Sequence, residues 1–237
     1  NKFKDMGFDY FQGYFLAKPE IVRHRKLGPS SLTMMELLTL SSQAKLNFDE
    51  VNKIIERDPS LTYLLLRFIN NPMVNKRHKI TSLKHALTFM GEVEVKKFIS
   101  LLALANLSDG QPTELMQMAL VRAKFCELVY TQLKGGDDPL KGFLTGLLSL
   151  LDAMMEQRID DLVSKVPISD DVKDALCGSP GMLRNCLTLA QFFERAKWSG
   201  IQQFSTKYDI KQSLLHSYYN EAIKWAKHIH KAAQKEN

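Results

Sequence analysis

One segment of the chain, from Pro139 to Met155, is apolar around nearly its whole circumference when it is drawn as a helix. Successive helical residues are separated by about 100°, so its apolar side chains point in all directions. They are Phe143, Leu144, Leu147, Leu148, Leu150, Leu151, Met154 and Met155. A helix of this kind is stable in a water-soluble fold only where other helices surround it. We therefore predict one continuous central helix covered by the rest of the chain.

The sequence from about residue 33 onward carries helix signals in nearly every segment. Asn47 and Glu50 have capping-box spacing, and Asp58-Pro59 is a typical helix start. Apolar periodicity predicts further helices over 83–90, 92–107, 113–134, 169–178, 181–198 and 209–235, with Gly200 as a stop. The last of these has an apolar stripe formed by Tyr218, Ala222, Trp225 and Ile229. The fold class is predicted to be all-α, a multi-helix bundle.

Residues 7–20, with the sequence GFDYFQGYFLAKPE, differ from everything that follows. Aromatic and apolar residues alternate with small or polar ones, and a proline closes the run, which is the pattern of a strand with its exit loop. The remainder of the chain offers no strand to pair with it. We therefore expect a short N-terminal extended arm in front of the helical body.

Charge and composition limit the partners and the location. The 237 residues carry a net charge of +6, and the densest basic clusters are RHRK at 23–26 and KRHK at 76–79. These clusters lack interleaved aromatic residues and are typical of solvated surface, so we do not expect nucleic acid as a partner. A nucleic-acid-binding regulator is the alternative. The sequence has no long apolar run and no secretory leader, so we expect a cytoplasmic protein without membrane contact.

Catalytic and metal-binding motifs are absent from the sequence. The six histidines form no H-E-x-x-H pair, the three cysteines form no CxxC, and no phosphate-binding glycine motif occurs. We therefore expect no cofactor and no metal.

Three segments resemble the HDOD domain, an all-helical relative of the HD phosphohydrolases. They are DPSLTYLLLRFINN at 58–71, ITSLKHALTFMGEVEVKKFISLLAL at 80–104 and GFLTGLLSLL at 142–151. Asp58, Pro59, Asn70 and Gly91 match the positions that these HDOD patterns share. The resemblance extends over about residues 32–198, and it implies an HD-like bundle with a C-terminal helical extension, over residues 21–237.

The same resemblance bears on catalysis. The metal-dependent HD enzymes carry a His-Asp pair at the end of the central helix, where this chain has Ser149 and Leu150. Leucine cannot ligate a metal and serine is a poor ligand for the metals of such sites. The degenerate HD position therefore implies no catalytic residues, and we expect that this region is not an enzyme. A divergent hydrolase that uses carboxylates is the less favoured alternative.

The N-terminal arm resembles the end of an EAL domain, the fold of cyclic di-GMP phosphodiesterases. Gln12, Gly13 and Pro19 match the closing motif of that domain, so residues 1–20 are expected to be its C-terminal remnant. The combination implies a regulatory module that signals through protein–protein or interdomain contacts. Its partner would be another protein or its own EAL domain, which would carry phosphodiesterase activity and the binding of cyclic di-GMP. The oligomeric state is left open.

Overall fold

The computed structural model describes residues 29–41, 43, 45–57, 59–70, 80–107, 113–134 and 138–233. Every regular element within these ranges is an α-helix, which confirms the all-α prediction for this part of the chain. The predicted extended arm lies outside the described residues. The helices are α1 Pro29–Ser41, α2 Phe48–Glu56, α3 Pro59–Ile69, α4 Leu83–Leu107, α5 Thr113–Lys134, α6 Pro139–Leu148, α7 Leu151–Met155, α8 Ile159–Val163, α9 Asp170–Cys177, α10 Met182–Glu194, α11 Trp198–Tyr208 and α12 Gln212–Ala233.

The centre of the bundle is the contact between α5 and α6, which α4, α9, α10 and α12 surround. Two glycines of α6 make this contact close. A Cβ added to Gly142 would lie 2.7 Å from the carbonyl oxygen of Cys126, and one added to Gly146 would overlap the carbonyl of Arg122. Any larger residue would therefore push the two helices apart.

The predicted central helix is central but not continuous, so that part of the prediction is wrong. Helix α6 ends at Leu148, and α7 begins at Leu151 after a turn. In the turn, the Ser149 hydroxyl donates to the carbonyl oxygen of Gly146 at 2.7 Å, and the Ser149 backbone N–H bonds the same oxygen. Leu150 leaves helical geometry at φ −120° and ψ 15°. Side chains on both sides of the turn are buried, so the apolar pattern carries no sign of the break.

A second difference concerns Gly200, which the sequence indicated as a helix stop. It lies inside α11, and a Cβ there would come within 2.6 Å of the Phe192 ring. This glycine therefore permits a close helix contact instead of ending a helix. The chain turns at Asp209, which has φ +51°, and α12 follows.

Other expectations at the helix ends are confirmed. The Asn47 side chain accepts the Glu50 backbone N–H at 3.3 Å, and the apolar face of α2 is buried. The stripe on α12 faces the core: Ala222, Trp225 and Ile229 are buried, and Trp225 packs edge-on against Phe143.

Candidate functional site

The degenerate HD position lies in the turn between α6 and α7. Leu150 is buried, with 4% of its surface exposed, and it packs in the central apolar cluster. The Ser149 hydroxyl accepts a hydrogen bond from Nη1 of Arg122 at 3.1 Å. The position is thus filled by an apolar side chain and by a hydroxyl that a guanidinium holds.

Arg122 is the largest fully buried side chain in the described part of the chain, with 1% of its surface exposed. Its Nε donates to Oε1 of Glu194 and its Nη2 donates to Oε2, both at 2.7 Å. This two-point geometry is the strongest form of a guanidinium–carboxylate contact. It joins α5 to α10, and the bond to Ser149 connects the pair to the turn.

Sequence reasoning missed this ion pair, although both residues carried a signal. Each lies in the buried stripe of its own helix. Arg122 follows Leu115 and Ala119 at helical spacing, and Glu194 follows Leu187 and Ala190 in the same way. One charge inside an apolar stripe is unfavourable unless a charge of opposite sign meets it in the core.

The surroundings of Ser149 bear on the expectation that no metal binds. Within the described ranges, no three His, Cys, Asp or Glu side chains form a cluster that could hold a metal ion. The Arg122 guanidinium places a fixed positive charge at this position, and like charges repel. The expected absence of a metal stays a prediction that elemental analysis can test.

Two other predicted motif residues, Asn70 and Gly91, lie away from the turn at Ser149 and determine the local course of the backbone. The amide of Asn70 donates to the carbonyl oxygens of Leu66 at 2.7 Å and Ile80 at 2.8 Å, and it accepts the Ile80 N–H at 2.8 Å. It thereby ties the end of α3 to residue 80. Gly91 has φ +72° and ψ 171° and bends α4, a conformation that glycine adopts without strain.

Of the remaining five motif residues, one begins a helix and four lie outside the described residues. Pro59 begins α3 as expected. Asp58, Gln12, Gly13 and Pro19 lie outside the described residues, and so do the basic clusters at 23–26 and 76–79. Among the helices that the structure describes, none is long and apolar enough to cross a membrane.

A second feature is an apolar cleft of about 720 Å³ between α1, α4, α6 and residues 166–169. Its wall includes Leu38, Val93, Leu140, Leu144, Leu148 and Ile168. The charges at its rim pair with each other: Lys96 with Glu92 at 2.7 Å, and Lys141 with Asp171 at 2.7 Å. The hydrogen bond from Lys96 lowers the pKa of Glu92. An occupant would therefore meet apolar surface bounded by neutralised charge.

Comparison with known proteins places this architecture in a family. The model of the HDOD domain matches residues 27–166. The chain belongs to the HDOD family. No solved structure matches it.

Two curated proteins are similar to this HDOD chain over nearly its whole length. One, from Vibrio cholerae, is named cyclic di-GMP phosphodiesterase CdgJ; it is 34% identical over 95% of this chain and 52% of its own length. The other, the uncharacterized protein YuxH of Bacillus subtilis, is 30% identical over 94% of this chain and 54% of its own. The chain spans about half the length of these relatives.

The first relative contradicts the expectation that this region is not an enzyme, because a protein named as a phosphodiesterase matches 95% of the chain. The physical reason for the error is the narrow scope of the motif argument. Losing the His-Asp pair at Ser149 and Leu150 removes one metal-dependent reaction at one position, and it says nothing about chemistry that uses other residues.

Proposed function

We propose that this chain is a signalling part of a longer cyclic di-GMP phosphodiesterase, and that it acts through contacts with the EAL domain of the same protein. Cyclic di-GMP would bind at that EAL domain. Two findings support the proposal: family membership in HDOD, and the similarity to a relative named a cyclic di-GMP phosphodiesterase, of which this chain matches about half.

The apolar cleft is the observation that carries the proposed contact. One wall is α1, the first described helix, which at 1.5 Å per residue is about 20 Å long. The start of α1 at Pro29 is therefore within about 20 Å of the cleft. Another wall is the part of α4 directly after the bend at Gly91, where Val93 keeps 39% of its surface exposed.

This placement offers a physical route for a signal. Packed helices have few discrete arrangements, so a partner that fits one arrangement better shifts the population towards it. An occupant of the cleft would touch α1, α4 and α6 together. It would thereby bias the bend in α4 and the turn that follows α6.

The test compares two single substitutions in the full-length protein. Val93→Lys puts a charge on the cleft wall, and Tyr63→Lys puts the same charge at a site that is also exposed, on α3 and outside the cleft. We expect Val93→Lys to change kcat/KM for cyclic di-GMP hydrolysis several-fold, while Tyr63→Lys leaves it unchanged. The thermal midpoints of both variants should match that of the parent. Equal effects of the two variants, or none, would contradict the proposal.

A further inference from the structure

A small polar cavity lies beside the turn between α6 and α7. Its volume is about 210 Å³, and α5, α7, α8, α9 and α10 contribute to its wall. Five polar side chains line it, with apolar residues filling the gaps. The polar ones are Arg122, Ser149, Asp152, Arg184 and Gln191.

The two arginines of this cavity differ in how their charge is compensated. Arg122 is paired with Glu194, as described above. The Nη1 of Arg184 donates to the carbonyl oxygen of Ala175 at 3.3 Å. Within the part of the chain that the structure describes, no carboxylate lies within ion-pair distance of Arg184. The cavity therefore contains a guanidinium group that forms an ion pair with no carboxylate of the described residues, although the Asp152 carboxylate also lines the wall.

The donors in the wall suit an oxyanion better than a cation. Guanidinium groups match the geometry of phosphate and sulfate oxygens, and the Gln191 amide adds further donor capacity. Two guanidinium groups would repel a metal ion. The one group that opposes an anion is the Asp152 carboxylate, whose Oδ1 accepts the Ala153 N–H at 2.8 Å.

The size of the cavity is compatible with such a ligand. Its volume of about 210 Å³ is enough to hold a tetrahedral oxyanion.

We propose that this cavity binds a small tetrahedral oxyanion, either inorganic phosphate or the terminal phosphate of a larger molecule whose remainder stays outside. Arg184 is the main anchor, and Asp152 limits the affinity. The bound anion would join α10 to the Ser149 turn. This inference goes beyond the proposed function and does not depend on it.

Isothermal titration calorimetry of the chain with inorganic phosphate, GMP and guanosine tests the proposal. We expect phosphate to bind with a Kd below about 1 mM and guanosine not to bind. Similar affinities for phosphate and GMP would identify the free ion as the ligand, and tighter binding of GMP would identify a larger phosphate compound. Absence of phosphate and GMP binding, or equal binding of guanosine and GMP, would overturn the proposal.

Three variants make the test specific to the cavity. Arg184→Gln should weaken phosphate binding by about tenfold or more, since it removes this guanidinium charge. Asp152→Asn should strengthen binding several-fold because it removes the opposing charge. Lys53→Gln, an equal change of charge at an exposed position on α2, should have no effect. Arg184 is half-buried and makes one long hydrogen bond, so its variant is expected to fold. Equal affinities of Arg184→Gln and the parent would overturn the assignment.

Discussion

The apolar cleft and the polar cavity are lined by different residues of one short stretch of chain, and they are built in contrasting ways. Leu148 and Leu151 line the cleft, while Ser149 and Leu150, between them, line the cavity. At the rim of the cleft the charged side chains form ion pairs, and most of its wall is apolar. The cavity brings charged groups together inside the protein, where electrostatic interactions between them are stronger than in water. The contrast teaches that neighbouring residues of one turn can line an apolar cleft and a charged cavity.

The sharpest way to break this comparison is to remove one charge from the buried pair. Glu194→Gln keeps the shape of the side chain but leaves the charge of Arg122 uncompensated in a site where that residue is 1% exposed. Breaking a buried pair in this way is expected to cost about 3 kcal/mol of unfolding free energy. Urea denaturation measures the loss.

A matched surface pair serves as the control for that experiment. Asp160 contacts Arg158 at 3.0 Å, with both side chains largely exposed. Asp160→Asn should leave the urea midpoint unchanged, because water screens such pairs. If Glu194→Gln were equally harmless, the pair would not be what holds α5, α10 and the turn together.

The next largest loss of stability is expected from the contact between α5 and α6, two helices that contribute to the walls of the polar cavity and the apolar cleft, respectively. Gly146→Ala would place a methyl group against the backbone carbonyl of Arg122, so α5 and α6 must separate. Overpacking of this kind costs about 2 kcal/mol. Gly181→Ala is the control, since its φ of 172° suits any residue and no atom lies within 4 Å of the added carbon. A thermal midpoint that falls equally in both variants would mean that the close approach is not decisive.

A smaller effect, dependent on pH, is expected from the carboxylate that lines the cavity. Burial raises the pKa of Asp152. The folded state therefore holds this proton to a higher pH than the unfolded chain, in which the pKa is about 3.9. Its contribution to stability is full below that value and is lost as the pH rises through the raised pKa. Asp152→Asn cannot lose a proton, so its stability relative to the parent should increase between about pH 4 and pH 7. Urea midpoints of the two proteins across this range measure the difference, and a constant difference would contradict the assignment.

The smallest effect is expected on the cleft side. Val93 is 39% exposed on the cleft wall, whereas Val95, two residues along the same helix, is fully buried. Val93→Ala should change the unfolding free energy by less than about 0.5 kcal/mol, and Val95→Ala should cost about 2 kcal/mol. A large cost at Val93 would mean that the cleft wall is part of the core and not a surface kept for a partner.

The sequence by itself determined the local features of this protein. Side-chain capping at Asn47, the full length of α5 and the buried stripe on α12 follow from interactions among residues within a few turns of each other. The central position of residues 139–155 followed in the same way, because a segment that is apolar on every side has no stable place at the surface. The HDOD resemblance also came from short motifs that lie in order along the chain.

Tertiary structure alone decided which buried faces meet. The apolar run from 139 to 155 continues through the turn at Ser149, so its pattern cannot reveal that α6 ends at Leu148. At that turn, the Arg122 side chain on α5 donates a hydrogen bond to the Ser149 hydroxyl, a contact between residues far apart in the sequence. The role of Gly200, which is to allow the Phe192 ring to pack closely against α11, became visible only in the tertiary structure. Arg122 and Glu194 are 72 residues apart, and each position looks unfavourable until the other is present. A helical period encodes which face of a helix is buried, but it contains no information about which helix covers that face.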